Sequence, residues 1–342
     1  YSSAASDVYK RQIYNNTQET LVVGKEYAIT TYNIGFGAYN HDFSFFMDQG
    51  KMLSGEKVKG KLSKATSKEI VLTNTRGAIE EITAFNPDFA FFQEVDTNST
   101  RSFQVNQFKM LQESLVKMAS VHVSNFHSAY LFYPILDPHG VVNSGIATFS
   151  KYKIDKVIRK SLEITDAFPS KFFDLDRCFS ASYLKTNHDN YLVIVNVHLS
   201  AYDKGGVYRK KQLQQLNSFL EVEYQKGNYV VCGGDFNHDI ANSMYVFETK
   251  QEKPEWVYAL NNDDLNENFS FATNNNIPTC RSTDMPYEKN VNYTVVLDGF
   301  IVSKNVDVIM VENVDTNFEY SDHNPVSVSY THLRAHETLR HL

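Results

Sequence analysis

What most constrains this chain is the way short, apolar, β-rich runs alternate with helix-period stretches from Glu26 to Tyr330, with several runs in direct succession. Short apolar runs bounded by turn formers read as strands, and apolar residues recurring three and four apart read as one face of a helix. On that basis 26–34 and 88–95 are expected strands. Between them Ala78, Ile79, Ile82 and Phe85 mark a helix face, stopped by Asn86-Pro87-Asp88 because proline disfavours helix in the residue before it. Residues 105–118 read as a helix, and 130–132, 145–149 and 153–162 as strands. The segments 178–185 and 191–198 read as a strand pair around the turn 187–190. Leu213, Leu216, Phe219 and Leu220 give a second helix face, ended by Gly227-Asn228. Strands at 229–234, 293–302, 306–311 and 325–330 complete the pattern. Strands that follow one another directly need antiparallel pairing, so the fold class is α/β, with two packed mixed sheets flanked by helices. No repeat or Pro/Ser linker divides the chain, and 25–330 reads as a single domain.

Composition narrows the class further. Apolar residues make up 42% and aromatic residues 13% of the chain, enough for a sizeable core and against disorder or a coiled-coil rod. No apolar run approaches the ~18 residues that span a bilayer, so the chain reads as soluble. The formal net charge of −7 argues against a protein that coats duplex nucleic acid, although a local basic patch can serve a nuclease. Cys178, Cys232 and Cys280 have neither metal-type spacing nor an even count, and read as core thiols. One stretch stands apart: 51–68 holds lysines at 51, 57, 59, 61, 64 and 68 against the single acid Glu56. It reads as a solvated mobile loop or as a basic flap over an anionic substrate.

The two ends do not read like the rest. Residues 1–12 lack any apolar period, 331–342 follow abruptly on a strand-like run, and both resemble translated sequencing-adapter junctions. They are set aside as non-native, with His332, His336 and His341 excluded as metal ligands. Each tail carries a net charge of +1, which leaves −9 for the body between them. The N-terminus reads as truncated, leaving room for a signal peptide or membrane anchor ahead of it and keeping localisation open.

The polar residues that matter share one context, the ends of apolar strands. Asn33 closes 28–33, Gln93-Glu94 close 89–94, Asn196-Val-His198 close 191–198, and Gly234-Asp235-Phe236-Asn237 close 229–237. Asp298 lies within 295–302, and Ser321-Asp322-His323 precede the last strand. Singly, each has a plain alternative: a histidine after a strand is often structural, and Gly-Asp-Phe-Asn alone makes a good turn. Together the six sites carry carboxylates, carboxamides and imidazoles, and no nucleophile elbow. Oxygen ligands of this kind are those that Mg²⁺ prefers, and no zinc-type spacing is present. A carboxylate base with neighbouring imidazoles can deprotonate water and steady charge developing on a phosphate. Hydrolysis of a phosphate ester is the chemistry these residues suit.

The ordered set Tyr-Asn33, Gln-Glu94, Asn196-x-His198, Gly-Asp235-Phe-Asn237, Asp298 and Ser-Asp322-His323 resembles the endonuclease/exonuclease/phosphatase superfamily, over about 28–328. That group includes deoxyribonucleases, apurinic endonucleases, inositol-polyphosphate phosphatases and neutral sphingomyelinases, and the chain looks most like its uncharacterised bacterial branch. The resemblance implies a four-layer α/β/β/α sandwich with the site at one mouth of the two sheets. It implies Glu94 as principal metal ligand with Asn33 and Asp322 beside it, for Mg²⁺ with Mn²⁺ as a substitute. Asp235 would orient or deprotonate the attacking water, and Asn237 would hold a phosphate oxygen. His198 and His323 would serve the phosphate and leaving group, with Asp298 fixing the tautomer of His323. Arg177 and Asn196 are the expected substrate contacts, Arg177 having an ion pair with Asp174 or Asp176 as its plain alternative. Gly299 departs from the family pattern after the aspartate, and His238 reads as a rim residue. The implied substrate is a phospholipid headgroup, an inositol phosphate or a nucleic acid, handled by a monomer without a protein partner. The competing reading is a non-catalytic member of the same fold.

Overall fold

In the computed structural model, which describes residues 7–8, 13–131, 134–164, 177–201 and 207–332, alternate side chains of the central strands enter two different apolar layers. In chain order the elements are β1 (Asp7–Val8), β2 (Glu26–Asn33), β3 (Gln49–Lys51), β4 (Lys57–Lys59), α1 (Lys68–Phe85), β5 (Phe89–Asp96), α2 (Gln107–Ser114), β6 (Ala119–Leu131), β7 (Gly140–Ser150) and β8 (Lys156–Ser161). There follow β9 (Cys178–Lys185), β10 (Tyr191–His198), α3 (Val207–Gln225), β11 (Tyr229–Asp235), β12 (Phe269–Ala272), β13 (Cys280–Arg281), β14 (Thr294–Val295), β15 (Asp298–Ser303), β16 (Val306–Asn313) and β17 (Val326–His332). One large sheet runs β1-β8-β9-β10-β11-β15-β12 and the other β16-β17-β2-β5-β7-β6. Each is antiparallel except for one internal parallel pair, β10 with β11 and β2 with β5.

The layering follows from the period of two in a strand whose faces are both covered. In β5, Phe89 and Phe91 pack between the sheets with Ile29, Ile194 and Val231. Ala90 and Phe92 turn the other way, onto Ile79 and Ile82 of α1 and Leu111 of α2. On the second sheet Val193, Val195 and Val197 meet Leu213, Leu216 and Phe219 of α3. Helices therefore cover both outer faces, and the architecture is the four-layer α/β/β/α sandwich. Ser67 starts α1 by accepting a hydrogen bond from the Ile70 amide, and left-handed Asn86 ends it ahead of Pro87.

Several boundaries differ from the sequence reading. The run 293–302 is two strands, β14 and β15, in different sheets. β6 begins at Ala119, well before the expected 130–132, and its alternation is broken by irregularities. β12 was not anticipated. The lysine-rich 51–68 is no structureless loop: β3 and β4 pair as a hairpin, and Met52 bridges to Gln251. The packed unit also takes in residues on both sides of 25–330. Leu21 and Val23 lie in the core, and Thr331 and His332 pair with Glu26 and Val306. No helix among the described residues is long and apolar enough to cross a membrane.

Candidate active site

Parallel pairing brings the C-terminal ends of β2 and β5 together in one sheet and those of β10 and β11 in the other. Asn33, Glu94, His198 and Asp235 consequently meet at one mouth of the sandwich. Gly234 makes this approach possible: a Cβ there would sit 1.9 Å from the Val197 carbonyl oxygen, and its φ of 149° suits glycine. The β5–β7 register shifts between Phe92 and Val95, and Glu94 takes φ of 52°, so a bulge turns its carboxylate toward the mouth.

Asp235 is the hub. Its Oδ2 accepts from Asn33 Nδ2 at 3.0 Å and lies 3.4 Å from Nε2 of both His198 and His323. Its Oδ1 accepts from the Asn237 amide at 2.9 Å. Burial alone would raise the pKa of Asp235, but the charge on His323 and the hydrogen bond from His198 outweigh it and hold the carboxyl below its usual range. His323 Nδ1 donates to Asp298 Oδ2 at 2.8 Å, which places Asp298 beside the imidazole. Burial opposes a charged imidazole, yet Asp298, with Asp235 and Asp322 adding to it, raises His323 well above its ordinary value. Asp298, desolvated, is itself pushed up to about 7. His198 is lowered, by burial first and then by Arg177.

The Glu94 side of the mouth is built differently. No hydrogen bond reaches the Glu94 carboxylate among the described residues. Burial raises its pKa, and the carboxylate of Asp322 raises it further. Asp322 is raised as well, by burial, with His323 and Arg281 opposing. The Asp322 carboxylate raises Glu94 and itself accepts from Ser321 Oγ at 3.3 Å; the lone pairs left on the two groups make a fitting hard-oxygen seat for a divalent cation. Asp235, Asp298 and His323 also bring one ligand atom each within 4.8 Å of one another. In that trio both imidazole nitrogens already face carboxylates, so neither is left for a cation and the group reads as a proton-handling chain.

A model of the endonuclease/exonuclease/phosphatase family matches residues 30–323. The chain belongs to this family. Members of the endonuclease/exonuclease/phosphatase family are hydrolases that act on phosphoester bonds. An inositol phosphosphingolipids phospholipase C of Schizosaccharomyces pombe is 24% identical over 232 residues, covering 59% of this chain and 54% of the relative. The chain thus spans about half the length of that curated relative. An endonuclease/exonuclease/phosphatase of Beutenbergia cavernae superposes with a TM-score of 0.56 at 14% identity, over 91% of this chain and 72% of that one. The human nocturnin catalytic domain with bound sulfate gives 0.53 at 15%, over 96% and 97%. D. rerio TDP2 complexed with single-strand DNA product gives 0.53 at 13%, over 90% and 99%.

Within this family member, some expected residues sit elsewhere. Asn196 does not line the cleft: its Oδ1 accepts from Gln93 Nε2 at 2.8 Å and its Nδ2 donates to the Ala147 carbonyl at 2.9 Å, so it clasps the two sheets together. Asn33 donates its amide to Asp235 while its Oδ1 accepts from the Gly35 amide at 3.0 Å, which makes it an orienter of Asp235 with one lone pair left for a cation. Asn237 lines the cleft, but Nδ2 already donates to the Leu199 carbonyl at 2.6 Å, leaving one N–H for a phosphate oxygen. His238 is no rim residue; it is buried, its Nδ1 lies 2.8 Å from the Phe236 carbonyl, and burial lowers it to about 4. Arg177 lines the cleft, and Asp174 and Asp176 lie outside the described residues.

The sequence reading missed others. Arg101 forms a bidentate pair with Asp96 at 2.9 and 2.7 Å, lies 3.9 Å over the Phe36 ring and faces Glu94 electrostatically. Cys280 is buried as expected, but its Sγ is 3.6 Å from His323 Nε2 at the cleft wall, and burial pushes its thiol up to about 12. Five residues after β5 and inside a single 3-10 turn at 100–102, Arg101 carries no periodic signal that could find it.

Proposed function

We propose that this protein is a Mg²⁺-dependent phosphodiesterase that hydrolyses a small or membrane-presented phosphate ester with water. The observation carrying this reading is the unbroken line Asp298–His323–Asp235–His198, set against the neighbouring carboxylates Glu94 and Asp322. Glu94 and Asp322 would hold the cation, with Asn33 adjoining, and the metal would supply a Lewis acid for a phosphoryl oxygen. Asp235, held ionised, accepts the proton of the attacking water. His323, held protonated by Asp298, donates to a phosphoryl oxygen and steadies the charge that develops there. His198, buried and lowered, is neutral near pH 7 and completes the hydrogen bonding around Asp235. Arg177 and the free N–H of Asn237 address the remaining phosphate oxygens.

A nuclease is the second reading, favoured by one feature. The β3–β4 hairpin presents Lys51, Lys57 and Lys59 to solvent, and the adjoining Asp48 and Gln49 line the cleft. Against it stands the acidic balance of −7, since tight duplex binding needs many Lys and Arg phosphate contacts. The test is hydrolysis of bis-(p-nitrophenyl) phosphate, of sphingomyelin-type and inositol diesters, and of plasmid DNA, each with Mg²⁺, with Mn²⁺ and with chelator. Turnover of the small diesters that chelator abolishes is expected, with weak, salt-sensitive plasmid nicking. Salt-tolerant nicking with no activity on the small esters would make the protein a nuclease. Turnover untouched by chelator would remove the metal from the mechanism.

A further inference from the structure

Strand β7 is flanked by irregularities on both sides at one level. On one side, the step from Phe92 to Val95 of β5 faces Ala147 to Gly145 and lifts out Glu94. On the other, Ser124 of β6 pairs with Gly145 and Phe126 with Ser144, so Asn125 is the extra residue of a second bulge. Gly145 permits it: a Cβ there would meet the Val123 carbonyl oxygen at 2.2 Å. Bulges beside a site re-aim a side chain, and this one brings Asn125 to the cleft wall next to Ser144. Both residues are only 3% exposed. Yet Asn125 Nδ2 and Ser144 Oγ have no hydrogen-bond partner among the described residues. Two buried polar atoms left unmade in the lining of one reaction cleft call for a ligand that completes them. The catalytic scheme above uses neither.

We propose that Asn125 and Ser144 form a subsite for the group esterified beyond the scissile phosphate, and that this group carries hydroxyls, as an inositol or other polyol ring does. The inference rests on the phosphodiesterase reading and names its substrate class. An amide N–H₂ only donates, and a serine hydroxyl both donates and accepts. Alcohol oxygens match both; a trimethylammonium headgroup offers no acceptor at all. The reach is also right. Two strand spacings separate β5 from β6, so Asn125 stands roughly 10 Å from Glu94, the distance of one ring beyond a phosphate.

The experiment compares wild type with Asn125→Ala, Ser144→Ala and the shape-preserving Asn125→Asp on inositol p-nitrophenyl phosphate, choline p-nitrophenyl phosphate and bis-(p-nitrophenyl) phosphate. Wild type should favour the inositol diester over the choline diester by about tenfold in kcat/KM. Each variant should reduce the inositol-to-bis-(p-nitrophenyl) ratio of kcat/KM by about five- to tenfold, chiefly through KM, the scale of one lost hydrogen bond. Thermal midpoints should hold or rise, since each alanine removes an unpaired buried atom. A ratio within twofold of wild type in all three variants, or a wild-type preference for the choline diester, overturns the subsite. If wild type hydrolyses none of the three, the phosphodiesterase reading fails, and calorimetry with inositol 1-phosphate decides the subsite alone. Binding that Asn125→Ala weakens supports it, and absence of binding overturns it.

Discussion

The same strands close the sandwich at both ends, in opposite ways. β2, β5 and β11 carry Tyr27, Phe89 and Tyr229 at or next to their starts and Asn33, Glu94 and Asp235 at or near their ends, while β17 runs from near His323 to Tyr330 and His332. At the far end rings close the gap: His332 stacks on Tyr229 at 4.8 Å, on Tyr330 at 5.1 Å and on Tyr27 at 5.4 Å between centroids. The mouth instead gathers four carboxylates and two imidazoles, all buried except the half-buried Glu94. Burial that stabilises the aromatic end works against the charged one, where it raises Asp298, Glu94 and Asp322. The sandwich thus concentrates its electrostatic strain at one mouth and carries it with the packing behind, as functional sites commonly require. Changes at the mouth should alter turnover with little or positive effect on stability; changes at the far end should do the reverse.

The largest effect expected is that of Glu94→Gln. It removes one ligand charge at constant shape, and turnover should fall by about 10³-fold or more. The charge facing Asp322 also disappears, so the thermal midpoint should hold or rise. Mg²⁺-dependent rates and melting curves of the same preparations check both statements. A variant that keeps most of its rate would remove the cation from this corner, and one that simply unfolds would erase the contrast between the two ends.

Next in size are His323→Ala and Asp298→Asn. Each should lower turnover by about 10²–10⁴-fold, the range of positioned acid–base help. Asp298 acts only through His323, so the double variant should be little worse than the poorer single one. Additive losses would make the two residues independent, and the mouth would no longer be a single coupled cluster.

How much of this was legible in the sequence depended on whether a residue's role is local. Asp235, His323, Glu94 and His198 stand at ends of strands whose apolar period is plain, so the mouth could be assembled from strand ends and the family pattern. The bounds 178–185 and 191–198 are legible to the residue because each segment holds a run of β-favouring apolar residues and a polar turn separates them. Asn196 looked the same as its neighbours in sequence, yet its partners, Gln93 and Ala147, belong to the other sheet. Only the packing of one sheet on the other decides that it clasps and does not bind. Asn125 was illegible for a related reason, since a bulge is a mismatch of two strands and neither strand records it alone. The β3–β4 hairpin is hidden by its charge, because exposed lysines on both strands leave too little apolar alternation to read.

The smallest effect tests the far end. His332 is 1% exposed, and neither ring nitrogen has a hydrogen-bond partner among the described residues. Its rings of contact are tyrosines, so it acts there as a flat apolar filler with two polar atoms it does not need. Replacing it as His332→Phe keeps the stacking and removes the unpaired nitrogens, which should stabilise the fold by about 1–3 kcal/mol. The pH profile gives a sharper reading. Burial lowers His332 from its ordinary 6.5 to about 3. Above pH 6.5 the ring is neutral in the folded and unfolded chain alike, and pH has no leverage through it. As pH falls from 6.5 toward 3, the unfolded chain takes up a proton that the fold refuses, so wild type loses stability by up to ~1.4 kcal/mol per pH unit. His139, lowered to about 3, and His238, lowered to about 4, drive the same loss, but both variants share them and they cancel in the difference. Denaturant titrations of wild type and His332→Phe between pH 7 and pH 4 should therefore diverge steadily toward acid, while turnover stays within about twofold. Parallel curves would mean that the His332 nitrogens are solvated in the fold. The aromatic end would then carry polar strain of its own, and the contrast with the mouth would be one of degree.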